Sequence, residues 1–593
     1  MYILGIYNAH NATAAILKDG KVIACVSEER FTNVKNQYGF PKHAIDYCIK
    51  AAGIESKDLD LVTIPFKYGA PQHSLRENAK DMKLAAALYV YKIVGVIRSV
   101  WGELAYRYPS LMPIGKTSFR IASIAFEKYH MASERKFVAE YLGLPIDKVV
   151  TFDHHETHAI SSYFTSPFNG QKALVLTLDG EGDFKCATAT VFDGKKHKLL
   201  ASTDREHSLG YIYQKLTEYL GMKKNEHEYK VMGLAPYAKD FDIDKTYKKI
   251  SDLVTFDQKD QMRFTSKFNT LDTEKFLERE MRRTRFDILA GAFQKLVEEK
   301  TVEWVRYCMK KTKMNTVILS GGVFMNVKVN QKIAEMPEVR KLYILPSCGD
   351  ESTPVGAALL GFIKLKNLAA LKNAVIDNIY WGPEFGSEDI EKALKKKGLS
   401  KRYLIKKPKD IEKRIAALLA RGEIVARMAG RMEFGARALG NRTIMANASN
   451  VDVIKKINEQ IKGRDFWMPF APSILWERMS DYVINPKKIL SPYMMLGFET
   501  TALAHKELIA GLHAYDLTAR PQFVTKDGNP KYHKILKEFE RLTGIGGILN
   551  TSFNLHGFPI VLGPSEALEV FEKSGLKYLA LEDFLVEKRK KAH

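Results

Sequence analysis

The sequence predicts an α/β protein built from two units, and three observations predict it. The chain has 593 residues, too many for a single hydrophobic core. Short apolar runs repeatedly end in Gly- or Asp-containing turns and lead into helical segments, the pattern of strands alternating with helices. Composition changes between Asn367 and Gly386, where a Lys-rich helix gives way to Trp381-Gly382-Pro383-Glu384-Phe385-Gly386. The expected units are 1–370 and 380–593, the first carrying a helical insertion at about 64–150.

In chain order, Met1 to Ile6 opens directly into a strand, and the runs Ala14 to Leu17 and Val22 to Val26 flank Asp19-Gly20, a hairpin signal. A small polar turn on such a hairpin, here Asn8 to Thr13, is where an actin-like ATPase fold places phosphate-facing groups. Ala173 to Leu178 reads as a buried strand that delivers Asp179 at its tip, within Asp179-Gly180-Glu181-Gly182-Asp183. Thr316 to Ser320 is a strand that breaks at Gly321-Gly322, and Tyr343 to Pro346 leads through Cys348-Gly349-Asp350 to a helix at Val355 to Leu360. Strand, Gly-rich turn and helix is a phosphate-binding arrangement, because free amides and a helix N-terminus favour anions. Residues 387–593 form a second α/β unit, and no repeat of 20 to 50 residues is visible.

Bulk composition excludes several classes. Hydrophobic residues at 46% and charged residues at 27% describe an ordinary globular chain. Lys+Arg 91 against Asp+Glu 69 gives +22, a surplus that attracts polyanions. Much of it lies in dispersed Lys-rich helices (395–397, 407–413, 588–591), which read as solvated faces, so no nucleic-acid partner is expected. Five scattered cysteines without a CxxC pair indicate a reducing, cytoplasmic setting. No stretch reaches 18 uninterrupted apolar residues; Leu84 to Tyr106 is broken by Lys92, Arg98 and Glu103 and reads as a packed helix pair, so no membrane span is expected.

Two constellations carry chemistry. In Asp153-His154-His155-Glu156-Thr157-His158, the spacing of His154 and His158 puts both imidazoles on one helix face, one turn apart. With Asp179 from the following strand they suit a divalent transition metal with open positions. Three histidines alone could equally cap or solvate a helix; the carboxylate tips the reading toward metal. In the second unit, Gly430 to Arg442 packs three arginines and three glycines into thirteen residues, followed by Lys462-Gly463-Arg464, Arg520 and Asn550-Thr551-Ser552-Phe553-Asn554. Arginines grip phosphate or carboxylate through paired bonds and glycines admit a ligand close to the backbone, so the cluster reads as a site for a small, highly charged ligand.

These motifs, together with Ser27-Glu28-Glu29-Arg30-Phe31-Thr32 and Lys230-Val231-Met232-Gly233-Leu234-Ala235-Pro236-Tyr237, occur in the order found in the NodU/CmcH-type O-carbamoyltransferases, and the chain resembles that family over nearly its whole length outside 64–150. The resemblance implies an N-terminal actin-like ATPase (ASKHA) domain similar to the TsaD/Kae-like proteins and a C-terminal YrdC-like α/β domain. It implies ATP-dependent O-carbamoyl transfer: carbamoyl phosphate and ATP give a carbamoyl-adenylate in the second domain. The first domain passes the carbamoyl group to a hydroxyl of a small-molecule acceptor. The implied cofactors are a divalent metal, usually Fe2+, and ATP with Mg2+; a homodimer is left open.

Carried over by position, the resemblance implies His154, His158, Asp179 and Asp350 as metal ligands and His10 or His155 as general base. Lys230, Gly233, Gly321, Gly322 and Asn326 would line the nucleotide. Arg431, Arg437, Arg442, Lys462, Arg464, Arg520, Asn550 and Ser552 would hold carbamoyl phosphate, with Arg442 also catalytic. Gly435-Ala436-Arg437 departs from the family's Gly-Pro-Arg, and Met468 stands where many members carry arginine. The alternatives are a tRNA threonylcarbamoyl-type enzyme, which +22 would favour, and a nucleotide-gated scaffold of actin-like fold.

Overall fold

A computed structural model describes residues 1–68, 103–104, 108, 124, 128, 130–194, 196–371, 374–396 and 402–589. The expected insertion at 64–150 and the segment Leu84 to Tyr106 lie largely outside these residues; 130–142 is helical. The chain divides into Met1–Glu28 with Asn36–Ile376, and Glu29–Lys35 with Asp377–His593. Membership of Glu29–Lys35 in the second unit has no signal in the sequence.

The first unit repeats one sheet topology. β1 (Tyr2–Tyr7), β2 (Thr13–Lys18), β3 (Lys21–Ser27), β4 (Leu61–Ile64) and β5 (Val149–Thr151) lie in the order β3-β2-β1-β4-β5. The first three form an antiparallel meander, and β4 and β5 extend it in parallel. The hairpin turn falls at Asp19-Gly20, both at positive φ (50° and 80°). β6 (Ala173–Gly182), β7 (Lys185–Phe192) and β8 (His197–Asp204) form the next meander; β9 (Val254–Phe256) and β10 (Phe264–Ser266) make a separate small hairpin. β11 (Thr316–Ser320) and β12 (Lys341–Ile344) then extend the second sheet in parallel, giving β12-β11-β6-β7-β8. Two sheets of the same order are the duplicated core of the actin-like ATPase fold.

The central strands are apolar because both their faces are covered. Ile3, Leu4, Ile6 and Tyr7 of β1 and Leu174, Val175, Leu176 and Leu178 of β6 are all buried. The helix Thr353–Leu365 begins with Pro354 in its first turn, where a missing N–H costs nothing, and packs on β1, β2 and β4. It also packs against the helix His154–Thr165, which in turn lies on β6 and β11.

The second unit is α/β around one mixed sheet of eight strands: β13 (Tyr403–Lys406), β14 (Val425–Met428), β15 (Arg442–Ala446), β16 (Ala471–Leu475), β17 (Gln522–Val524), β18 (Gly547–Ser552), β19 (Tyr578–Leu581) and β20 (Phe584–Lys588), in the order β13-β20-β19-β14-β15-β18-β16-β17. Helices Ile411–Ala420 and Pro530–Thr543 pack on it through Ile415, Leu419, Ile535 and Phe539, against Val425, Met445 and Ile548. Among the described residues no helix is long and apolar enough to cross a membrane.

Candidate functional site

The helix His154–Thr165 starts where Asp153 accepts the amide of Glu156 at 3.1 Å, so the cap fixes which residues face β6. One turn apart, His154 and His158 present their Nε2 atoms to the tip of β6. His154 Nε2 lies 3.5 Å from Asp179 Oδ2 and 3.3 Å from Asp350 Oδ1; His158 Nε2 lies 3.2 Å and 3.3 Å from the same atoms. One ligand atom from each of the four residues falls within 4.8 Å of the others. Asp350 reaches the cluster from the turn after β12, which opens the helix Thr353–Leu365.

The donor set fits a divalent cation. His154 Nε2 and Asp179 Oδ2 are buried and make no hydrogen bond among the described residues. Burial pushes the His154 and His158 pKa values down, but Asp350 and Asp179 overcome it and hold both above the ordinary imidazole value. Burial likewise pushes both carboxyls up, and the imidazoles hold them below the usual carboxylate range, Asp350 well below. The carboxylates therefore favour protons on the imidazole nitrogens of the metal-free cluster, and a divalent cation bound there would displace them.

Tyr7, not read from the sequence, joins the cluster at the end of β1. Its hydroxyl donates to Asp350 Oδ2 at 2.6 Å and lies 3.1 Å from His10 Nδ1. His10 Nε2 is 3.6 Å from Asp350 Oδ2, with the side chain 35% exposed. His155 is placed differently. It is fully buried, its Nδ1 is 2.7 Å from Thr177 Oγ1, and burial followed by His154 and His158 pushes its pKa down to about 3. A base must reach an acceptor hydroxyl from outside, so His10 and not His155 fits that role. Ser320 is the other unread contact, with Oγ 3.1 Å from His158 Nδ1.

Gly321 and Gly322 pack on the same strand tip. Gly321 has φ 107°, and a Cβ there would sit 2.3 Å from Leu178 O; one on Gly322 would sit 2.9 Å from Asp179 Oδ1. Asn326 caps the helix Val327–Glu335 through the amides of Lys328 and Val329 and exchanges two hydrogen bonds with Gln294. Gln294 lies on the helix Phe286–Thr312, and the helix Glu228–Leu234, which carries Lys230 and Gly233, packs on that same helix.

In the second unit the structure separates the expected anion ligands into two groups. Lys462, Arg464 and Ser552 gather at the end of β18. Lys462 Nζ donates to Ser552 O (2.5 Å) and Oγ (3.2 Å) and to Asn554 O (3.1 Å) and Oδ1 (2.6 Å). Burial, then Arg464, pull the Lys462 pKa well down, while this ring of oxygens favours the ammonium. Arg464 Nη2 donates to Thr551 Oγ1 at 2.7 Å and its guanidinium covers the Phe470 ring at 4.6 Å.

Arg442 and Asn550 correct the reading made from sequence. Arg442 is fully buried, and its guanidinium donates to five carbonyls, those of Ala429, Gly430, Asn441, Leu562 and Pro383. Burial lowers its pKa only to about 10, so the charge remains, but it is spent on the backbone and not on a ligand. Asn550 is likewise an interior residue, donating to Ala438 O, Ser473 Oγ and Gln522 Oε1. Arg431 donates to the carbonyls of Trp381 and Gly382; Arg437 and Arg520 are half-buried. Glu433 was missed: its Oε1 accepts the amides of Leu439, Asn441 and Arg442, which shapes the arginine-bearing loop. Arg30 of the Ser27 to Thr32 motif belongs with this unit and donates to Gly435 O at 2.7 Å.

A duplicated actin-like core bearing a two-histidine, two-aspartate cluster and an α/β unit with a lysine–arginine cluster define the class: a two-unit α/β protein with a polar cluster in each unit. Residues 2–359 match the family model described as Carbamoyltransferase N-terminus, and residues 416–588 match Carbamoyltransferase C-terminus. The chain belongs to the carbamoyltransferase family. It is 31% identical to an uncharacterized protein of Synechocystis over 99% of this chain and 97% of that one. It is 27% identical to nodulation protein NolNO of Sinorhizobium fredii (98% of this chain, 79% of the relative), and 30% identical to nodulation protein NolO of Bradyrhizobium diazoefficiens (74% and 79%). Among solved structures, full-length HypF in its phosphate- and nucleotide-bound form aligns with a TM-score of 0.32 at 14% identity, covering 62% of this chain and 56% of that one.

Proposed function

We propose that this protein is an ATP-dependent O-carbamoyltransferase. Water hydrolyses carbamoyl phosphate to carbamate and inorganic phosphate, and the carbamate oxygen attacks the α-phosphorus of ATP with release of pyrophosphate. The resulting carbamoyl-adenylate delivers its carbamoyl group to a hydroxyl of a small acceptor, releasing AMP. The observation that carries this reading is the convergence of His154, His158, Asp179 and Asp350 in a family of carbamoyltransferases.

A divalent cation held by those four residues, Fe2+ by family resemblance, would act as a Lewis acid toward the carbamoyl oxygen. His10, half exposed beside the cluster, would take the proton of the acceptor hydroxyl at Nε2, while Tyr7 supports its other nitrogen. Gly321, Gly322, Asn326, Lys230 and Gly233 would lie along the nucleotide, where backbone amides replace water around phosphate. In the second unit Lys462, Arg464 and Ser552, with Thr551 and Asn554, would bind carbamoyl phosphate and the ATP phosphates, Arg464 supplying the charge absent at Met468.

The test is incubation with ATP and carbamoyl phosphate. Pyrophosphate should appear only when both are present, and Arg464→Ala or Ser552→Ala should reduce it strongly. Pyrophosphate release that ignores carbamoyl phosphate, or that survives both substitutions at full rate, would remove this reading.

A further inference from the structure

The two imidazoles of the cluster are oriented by different means. His158 is tied through Nδ1 to Ser320 Oγ at 3.1 Å, the usual way of fixing a ligating ring. His154 Nδ1 is buried and makes no hydrogen bond among the described residues. Its ring lies instead in a slot. On one side Phe66, just past β4, stacks on it with centroids 5.0 Å apart and planes 13° from parallel, while also touching Tyr7 at 5.5 Å. Gly182 at the end of β6 also lies against the ring: a Cβ there would fall 1.9 Å from His154 Cδ2 and 2.3 Å from Cγ. The base of the slot is Asp183, whose Oδ2 accepts the His154 amide at 2.8 Å. The same carboxylate accepts the amides of Lys67 at 3.0 Å and Tyr68 at 2.7 Å, so it binds the segment carrying Phe66 to the first turn of the histidine helix.

We propose that Phe66 and Gly182, joined through Asp183, are the positioning residues of His154, holding its imidazole plane by shape where His158 is held by a hydrogen bond. The physical reason is rotational. A stacked face and a backbone too close for any side chain leave the ring one plane, and that plane aims Nε2 at Asp179 and Asp350. Leucine in place of Phe66 keeps apolar volume but loses the flat face; tyrosine keeps the face. Alanine at Gly182 must displace the ring.

This proposal rests on the metal reading above, and the experiment separates the two. The full-length protein is stripped with chelator and titrated with Co2+, following affinity and the visible ligand-field spectrum, with the melting temperature of the metal-free form recorded in parallel. Wild type should bind and His158→Ala should lose the site; if the two take up Co2+ alike, the metal reading itself fails. Given binding, Phe66→Leu should lower affinity about tenfold or more and alter the spectrum, and Phe66→Tyr should restore both. Gly182→Ala should lower affinity by at least as much. Phe66→Leu that lowers only the melting temperature, with affinity and spectrum of the folded protein unchanged, overturns the slot. A Gly182→Ala protein that binds Co2+ as wild type does also overturns it, whatever the Phe66 variants do.

Discussion

The Tyr7 hydroxyl donates a 2.6 Å hydrogen bond to Oδ2 of Asp350, joining the end of the first strand to the turn that follows the last strand of the second sheet. Asp350 thereby offers Oδ1 to the two imidazoles while Oδ2 is held from behind.

Tyr7→Phe is expected to weaken metal binding about tenfold, the usual cost of losing a partner behind a ligand. The ring remains to fill the buried space, so pyrophosphate release should be unaffected. Calorimetric titration of the chelator-stripped variant checks this, and wild-type affinity would show that the hydrogen bond does not orient the carboxylate.

His158→Ala should spare adenylate formation and block carbamoyl transfer. The reason is location: His158 belongs to the first unit's cluster, whereas Lys462, Arg464 and Ser552 lie in the second unit. Pyrophosphate release and carbamoyl transfer to an acceptor, measured separately, should diverge by about 100-fold or more, as loss of a ligand removes Lewis-acid assistance of several kcal/mol. Equal loss of both activities would refute the division of labour.

Arg442→Lys should act through stability. Lysine cannot span five carbonyls, and each buried acceptor left without a donor costs about 1–3 kcal/mol. Denaturant unfolding of the second unit should shift by about 3 kcal/mol or more. Lys462→Met should instead reduce pyrophosphate release strongly, since Lys462 pins Ser552 and Asn554. A lysine variant at Arg442 that folds as well as wild type yet loses carbamoyl phosphate binding would return that arginine to the ligand.

Burial lowers the His130 pKa to about 4, below an unfolded value of about 6.5. The native protein then binds fewer protons than the unfolded chain between these values, so stability is full above pH 6.5 and falls as pH drops toward 4. The loss attributable to this residue is up to about 3 kcal/mol. Unfolding free energies across that range should show a shallower slope for His130→Gln; an unchanged slope would locate the acid sensitivity elsewhere.

Local spacing carried much of this protein into view. The interval between His154 and His158 and the apolar run before Asp179 depend on helix and strand periods, which are properties of neighbouring residues. The Asp19-Gly20 hairpin is legible for the same reason. The role of Arg442 was not, because an arginine among glycines looks the same in sequence whether it faces a phosphate or backbone carbonyls. Tyr7, Phe66 and Asp183 lack any local motif. Each matters only through partners that the chain brings back from a distance.

By itself the sequence determined the two α/β units, the paired imidazoles and the basic cluster, since hydrophobic period and charge are written residue by residue. Asp350 was named beside the histidines only through the family resemblance, and tertiary structure alone decided that Tyr7 and Phe66 close around them. It also decided that one arginine turns inward while Lys462 and Arg464 meet Ser552 and Thr551. Those outcomes come from packing two sheets and their helices together, a condition on surfaces that no short stretch of chain contains.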